Sequence, residues 1–183
     1  RAIQPVEAIT RVERALGLQI GAILQHPEVR RLEQAWRGLK LLTERAAGHS
    51  ALRIDVLSTR GDQMAESLGK VARMTNDPAY CAAVVDMTVD GSAASLARLE
   101  AIAEAAERNA MAVVVNASAR LLGVESLRGI DRMDNKGSLF DAPSQVARRS
   151  VAAKPSMRWV SMAMNGVLSR NAYDKSTSRM REA

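Results

Sequence analysis

The stretch that decides the fold spans residues 80–116 and reads YCAAVVDMTVDGSAASLARLEAIAEAAERNAMAVVVN. Residues 80–87 form a short apolar run typical of a buried strand, and residues 111–116 form another. Between them, residues 92–108 are rich in alanine and predict a helix. A strand, a helix and a second strand of these lengths predict a βαβ unit with neighbouring parallel strands.

The residues before this unit predict mostly helices. Residues 1–24 and 28–47 carry apolar side chains every three or four positions, and Pro27 stands between the two patterns. In the second helix we expect Val29, Trp36 and Leu39 to belong to the structural core, with Trp36 buried against the sheet. Residues 52–57 alternate imperfectly and predict a further strand. A helix is expected at residues 61–74.

These patterns together predict an α/β fold. We expect a three-layer domain with a small, mainly parallel sheet, preceded by an N-terminal helical hairpin. The predicted bounds are residues 1–50 for the hairpin, 51–173 for the α/β domain and 174–183 for a disordered tail. Residues 157–164 alternate enough to predict another strand.

The composition is that of a folded globular protein. Hydrophobic residues make up 47% of the chain and charged residues 25%. No apolar run approaches the roughly 20 residues of a membrane span, and no signal peptide pattern is visible. The single cysteine, Cys81, excludes an internal disulfide framework and fits a reducing compartment. We therefore expect a cytoplasmic protein with no membrane partner.

Charge is distributed unevenly along the chain. Residues 1–125 hold 15 basic and 15 acidic side chains, whereas residues 126–183 hold 11 basic and 5 acidic ones, which accounts for the net charge of +6. Such a basic region suggests an acidic partner, although a merely solvated surface is equally compatible. We predict a protein-binding surface at Arg148, Arg149, Lys154 and Arg158. A nucleic-acid partner is less favoured, because the chain has no nucleic-acid-binding motif.

No pattern in the sequence predicts catalysis. The only histidines, His26 and His49, lie at predicted helix ends, away from any serine on a strand-to-helix turn. No spacing of ligands predicts a zinc site. Asp86 lies at the end of a predicted strand and Asp90 just beyond it, where capping of the next helix by Asp90 and Ser92 is favoured over cation binding. We therefore predict no catalytic residue, no metal and no cofactor, and we expect Cys81 to be a buried, inert thiol.

Residues 26–40, HPEVRRLEQAWRGLK, resemble a hallmark of one family. In the large subunit of the contractile sheath of type VI secretion machines, a helix is followed by a His-Pro-Glu turn and a Leu-Glu-x-x-Trp-Arg-Gly-Leu helix. The resemblance continues at residues 52–57, 84–86, 121–127 and 158–160, and covers residues 6–173. The chain is thus identified as a segment or a short homologue of that subunit, which is more than twice as long.

The resemblance implies a structural protein rather than an enzyme. It implies assembly with the small sheath subunit and with other copies of the sheath subunits, and the inner tube protein is a further candidate partner. An alternative that the resemblance leaves open is a sheath-fold adaptor, similar to a baseplate or cap protein, that does not itself contract. No cofactor is implied.

Overall fold

The structure, a computed structural model, describes residues 5–74, 80–164 and 166 of the 183-residue chain. The predicted tail at residues 174–183 lies outside the described residues. The described chain divides into two compact units. The first comprises the residues up to Asp55 together with Gly166, and the second comprises the described residues from Val56 to Met164.

The first unit is a helical hairpin. Helix α1 spans Pro5–Gln25 and helix α2 spans Pro27–Ala46. Pro27 begins the second helix and so marks the break between the two. It lies in the first turn of α2, where backbone N–H groups have no acceptor within the helix, so the missing N–H of proline costs no hydrogen bond. His26 caps α2, because its Nδ1 accepts a hydrogen bond from the backbone N–H of Glu28 at 3.3 Å. The predicted N-terminal helices are confirmed.

The second unit is built on a parallel sheet. Its helices and strands, in chain order, are α3 (Met64–Met74), β1 (Ala82–Val89), α4 (Ala93–Arg108), β2 (Ala112–Ala117), α5 (Ser138–Asp141), α6 (Val146–Ala152) and β3 (Val160–Ala163). The strand order is β1-β2-β3, and Val84, Val114 and Ser161 lie side by side in the register. The βαβ prediction is confirmed. In the predicted strand at residues 157–164, a 3-10 turn over Pro155–Trp159 precedes β3.

The core of this unit lies between α4 and one face of the sheet. Ile102 is fully buried, and so are Val113 and Val115 of β2. The small side chains of α4 permit this close packing, because Ala103 and Ala106 add almost no bulk between the helix and the strands. Helix α3 packs beside α4 and contributes Leu68 to the same apolar cluster.

The opposite face of the sheet is open within this unit. Alternate residues of β1, namely Ala82, Val84, Asp86 and Thr88, are exposed, and Val84 is 68% exposed. The α/β class and the small parallel sheet are confirmed. Of the three predicted layers, residues 56–164 as described form two.

Three expectations about individual residues are wrong. Residues 52–57 form no strand. None of the three described strands pairs with them, so their backbone groups have no ladder partner, and all six residues are exposed. Trp36 is 61% exposed rather than buried, because it lies on a side of α2 that α1 does not cover; Val29 and Leu39 are half-buried. Cys81 is exposed, because it precedes the paired residues of an edge strand.

Candidate interaction surface

Two of the predicted protein-binding arginines lie on α6 and contact α5. Arg148 donates from Nε to Gln145 Oε1 at 2.7 Å, and its guanidinium lies 5.0 Å from the centroid of the Phe140 ring. Arg149 donates from Nη1 to the carbonyl oxygen of Phe140 at 3.2 Å and lies 3.9 Å from a carboxylate oxygen of Asp141. Both side chains therefore brace the α5–α6 segment.

The other two basic residues attach the turn before β3 to α4. Lys154 pairs with Glu100, and Arg158 donates from Nη2 to Glu107 Oε1 at 2.9 Å. Glu100 and Glu107 are seven residues apart and therefore lie on the same side of α4. The two ion pairs thus attach the turn that contains Lys154 and Arg158 to that side of the helix. Sequence reasoning missed the two glutamates, although their spacing was a usable signal.

Each of the four basic residues thus has a partner inside the chain. Their side chains, except for Arg148 and Lys154, which are half-buried, are exposed, so these contacts are in competition with water and salt. The structure brings the residues together in pairs rather than as one free basic patch. Their role in binding another protein stays a prediction.

The loop between β1 and α4 is a capping structure. The Asp90 carboxylate accepts hydrogen bonds from Ser92 Oγ at 2.7 Å and Ser92 N at 3.0 Å, while Ser92 Oγ accepts one from Ser95 N at 3.3 Å. Gly91 adopts a φ of 86°, in the left-handed region that favours glycine, so a residue with a side chain would be strained there.

This loop explains the acidity of Asp90. Hydrogen bonds from the Ser92 side chain, and then from Ser95, hold the pKa of the Asp90 carboxyl well below its usual range. The capping prediction is confirmed for Ser92, which is the N-cap residue of α4, while Asp90 accepts hydrogen bonds from Ser92. Among residues 5–74 and 80–164, no three or more His, Cys, Asp or Glu side chains form a group that could hold a metal ion.

An open groove of about 560 Å³ runs between α3 and α4. Its charged lining is mixed: Glu66 and Glu104 are acidic, Arg73 and Arg108 basic. A hydrogen bond from Lys70 lowers the pKa of Glu66, and Arg108 lies 3.7 Å from Glu104. The groove therefore shows no charge preference for a ligand.

More than half of the exposed large apolar side chains among the described residues lie on the helical hairpin. We call the surface that they form the hairpin surface, and its residues share large apolar side chains that are at least two-fifths exposed. They are Val6, Ile9, Val12, Leu16, Leu18 and Ile23 on α1, and Leu32, Trp36, Leu41 and Leu42 on α2. Large exposed apolar patches are typical of surfaces that bind another molecule. Tryptophan, here Trp36, is one of the residue types enriched among the hot spots of protein interfaces.

Comparison with known proteins gives this surface a context. The family profile of VipB, described as the EvpB/VC_A0108 tail sheath N-terminal domain, matches residues 6–80 and 76–183. The chain belongs to this family. The match runs through both structural units, so the hairpin and the α/β unit are parts of one sheath domain. The predicted relationship to the large sheath subunit of type VI secretion is confirmed.

A curated relative supports the same relationship. The type VI secretion system sheath protein TssC1 of Pseudomonas aeruginosa is 23% identical to this chain over 200 residues. The alignment covers 99% of the chain and 40% of the relative, so the chain spans well under half of that protein's length. None of the described helices is both long and apolar enough to cross a membrane.

Proposed function

We propose that this chain is the N-terminal part of a contractile sheath subunit that assembles with the small sheath subunit around an inner tube in the cytoplasm. The observation that carries the proposal is the family match over residues 6–183. A sheath subunit acts through contacts with its neighbours, and no reaction or cofactor belongs to this role. The work of contraction would come from rearranging many such contacts.

The hairpin surface supports the proposal physically. A hairpin of two helices cannot bury the apolar faces on the sides away from the helix–helix contact, and Trp36 and Leu32 lie one turn apart on such a side. Covering these side chains stabilises an assembly by roughly 25 cal/mol per Å² of apolar area. We propose that another sheath subunit covers them.

The basic residues contribute a second, weaker contact in this proposal. Exposed ion pairs contribute about 0 to 1 kcal/mol each, so Arg149 can exchange Asp141 and the Phe140 carbonyl for an acidic group of a neighbour at little cost. Many such ion pairs together stabilise a repeated array, whereas each single pair breaks and reforms easily. Contraction requires such reversibility.

Co-expression with the small sheath subunit of the same secretion system tests the proposal. We expect the two proteins to purify together, and the Trp36→Glu variant to lose the partner while its circular dichroism spectrum is unchanged. The double variant Arg148→Glu, Arg149→Glu should weaken the complex, whereas Arg120→Glu, an exposed arginine on a different loop, should not.

Two results would contradict the proposal. One is failure of the unmutated chain to bind the small subunit, which would favour the adaptor alternative. The other is tight DNA binding by the unmutated chain at physiological salt, with assembly intact in the double variant, since a basic DNA-binding surface would then explain the charge.

A further inference from the structure

Strand β3 is the shortest strand of the described sheet and the least buried. It has four residues, and among the described strands it pairs with β2 alone. Val160 is half-buried and the other three residues are exposed, whereas β2 buries Val113 and Val115. Such a short edge strand buries too little apolar surface to offset the entropy of ordering it. Its position on the sheet therefore depends on the residues that precede it.

The turn that precedes β3, Pro155–Trp159, packs beside α4. Its residues Met157 and Trp159 are partly buried against the apolar core, to which α4 contributes Leu99 and Ile102. Because these apolar contacts involve no charge, salt does not screen them. They give the turn an attachment to α4 that is the same at low and high ionic strength.

Two ion pairs, Lys154–Glu100 and Arg158–Glu107, complete the attachment at the two ends of the turn, and we call them the turn latch. The four side chains are between 30% and 68% exposed. Ion pairs this accessible to water are weakened by salt, because dissolved ions screen the two charges from each other. One part of the attachment of β3 therefore depends on ionic strength.

We infer that the turn latch controls a local opening of the chain from Lys154 through β3, and that salt favours the open form. In the closed form β3 covers the edge of β2 from Val113 to Asn116. In the open form this edge presents unpaired N–H and C=O groups, and such an edge is prone to pair with other chains. The turn latch thus keeps the edge of β2 covered. It acts within one chain, so it is independent of the assembly proposed above.

Hydrogen exchange of the β3 amides in the 183-residue chain alone tests this device. Raising NaCl from about 0.1 M to about 1 M shortens the screening length from about 10 Å to about 3 Å. This change should accelerate exchange in β3 and leave the amides of α4 unaffected. The double variant Glu100→Gln, Glu107→Gln should accelerate exchange in β3 by about fivefold at low salt, the factor that about 1 kcal/mol produces. It should also remove the response of β3 to salt.

Glu104→Gln is the matched control, because Glu104 lies on the same helix and pairs with Arg108 of α4 rather than with the turn. This variant should leave exchange in β3 unchanged. The charge-exchanged variant Glu107→Arg, Arg158→Glu restores one ion pair in the opposite sense. Its β3 amides should therefore exchange more slowly than those of Glu107→Gln.

Exchange in β3 that does not respond to salt would overturn the inference, as would equal effects of Glu104→Gln and of the double variant. Equal acceleration in β3 and in α4 would also overturn it, because the two ion pairs would then stabilise the whole unit rather than one local opening.

Discussion

Helices α4 and α1 carry apolar residues at equally regular helical spacing, and only α4 buries them. The buried residues of α4 include Leu96, Leu99 and Ile102, whereas the buried residue of α1 is Gly21. Helix α4 packs against α3, two strands and the turn that precedes β3, while α1 packs against α2. An apolar period therefore marks a face that needs a partner, and the fold decides whether that partner lies within the same unit.

The largest expected effect lies at the centre of the α4 core. Ile102→Ala should lower the free energy of unfolding by about 2 to 5 kcal/mol, because it leaves a cavity where the side chain is 1% exposed. Ile9→Ala, an equivalent truncation at an exposed position of α1, should change the free energy of unfolding by less than about 0.5 kcal/mol. Urea unfolding followed by fluorescence measures both. Equal losses would remove the distinction between the two helices.

A smaller effect is expected at the start of α4. Ser92→Ala should cost about 1 kcal/mol, because the N–H of Ser95 loses its acceptor and the Asp90 carboxylate loses a donor. Ser92→Thr, which keeps the hydroxyl, should retain most of the stability. Thermal unfolding of the three proteins is the measurement, and no difference between alanine and serine at this position would refute the cap.

The hydrogen bonds of Asp90 before α4 also predict how the stability of the chain depends on pH. The pKa of Asp90 is lowered in the folded chain, so its stabilisation is present above the unfolded-state pKa of about 3.9. The stabilisation is lost as pH falls through the folded value. The stability difference between the unmutated chain and Asp90→Asn should therefore shrink in acid. A difference that is constant from neutral pH to strong acid would contradict this linkage.

The smallest expected change in stability is at Trp36. Trp36→Ala should alter the free energy of unfolding of the isolated chain by less than about 0.5 kcal/mol, since the side chain is exposed. A loss of about 3 kcal/mol or more, as for a buried aromatic residue, would show that Trp36 belongs to the core. The same variant should bind other sheath subunits less well, which a pull-down with a co-expressed partner measures.

Local patterns predicted most of the α/β unit. The strands and helix of residues 80–116 could be predicted from their own periodicity and length. The capping by Asp90 and Ser92 could be predicted from their position just before α4. The surroundings of Trp36 and of residues 52–57 could not be predicted in this way. Burial and strand pairing depend on which other element is adjacent, and an isolated pattern does not contain that information.

The candidate surface was predicted less well than the fold. The charge excess beyond residue 125 directed attention to Arg148, Arg149, Lys154 and Arg158, yet each of them has a partner within the chain. A count of charges reports their sum and not their pairing. The hairpin surface was overlooked for the opposite reason, because its apolar residues looked like core.

Hydrogen exchange most directly tests the claim that a neighbouring subunit completes the hairpin. The amides of α4 and β2 should exchange slowly both in the dilute chain alone and in its complex with the small sheath subunit, because they lie in the buried core. Those of α1 and α2 should exchange much faster in the dilute chain and become protected in the complex. The claim would be contradicted if α1 and α2 exchanged as slowly as β2 in the dilute chain and gained no protection on assembly.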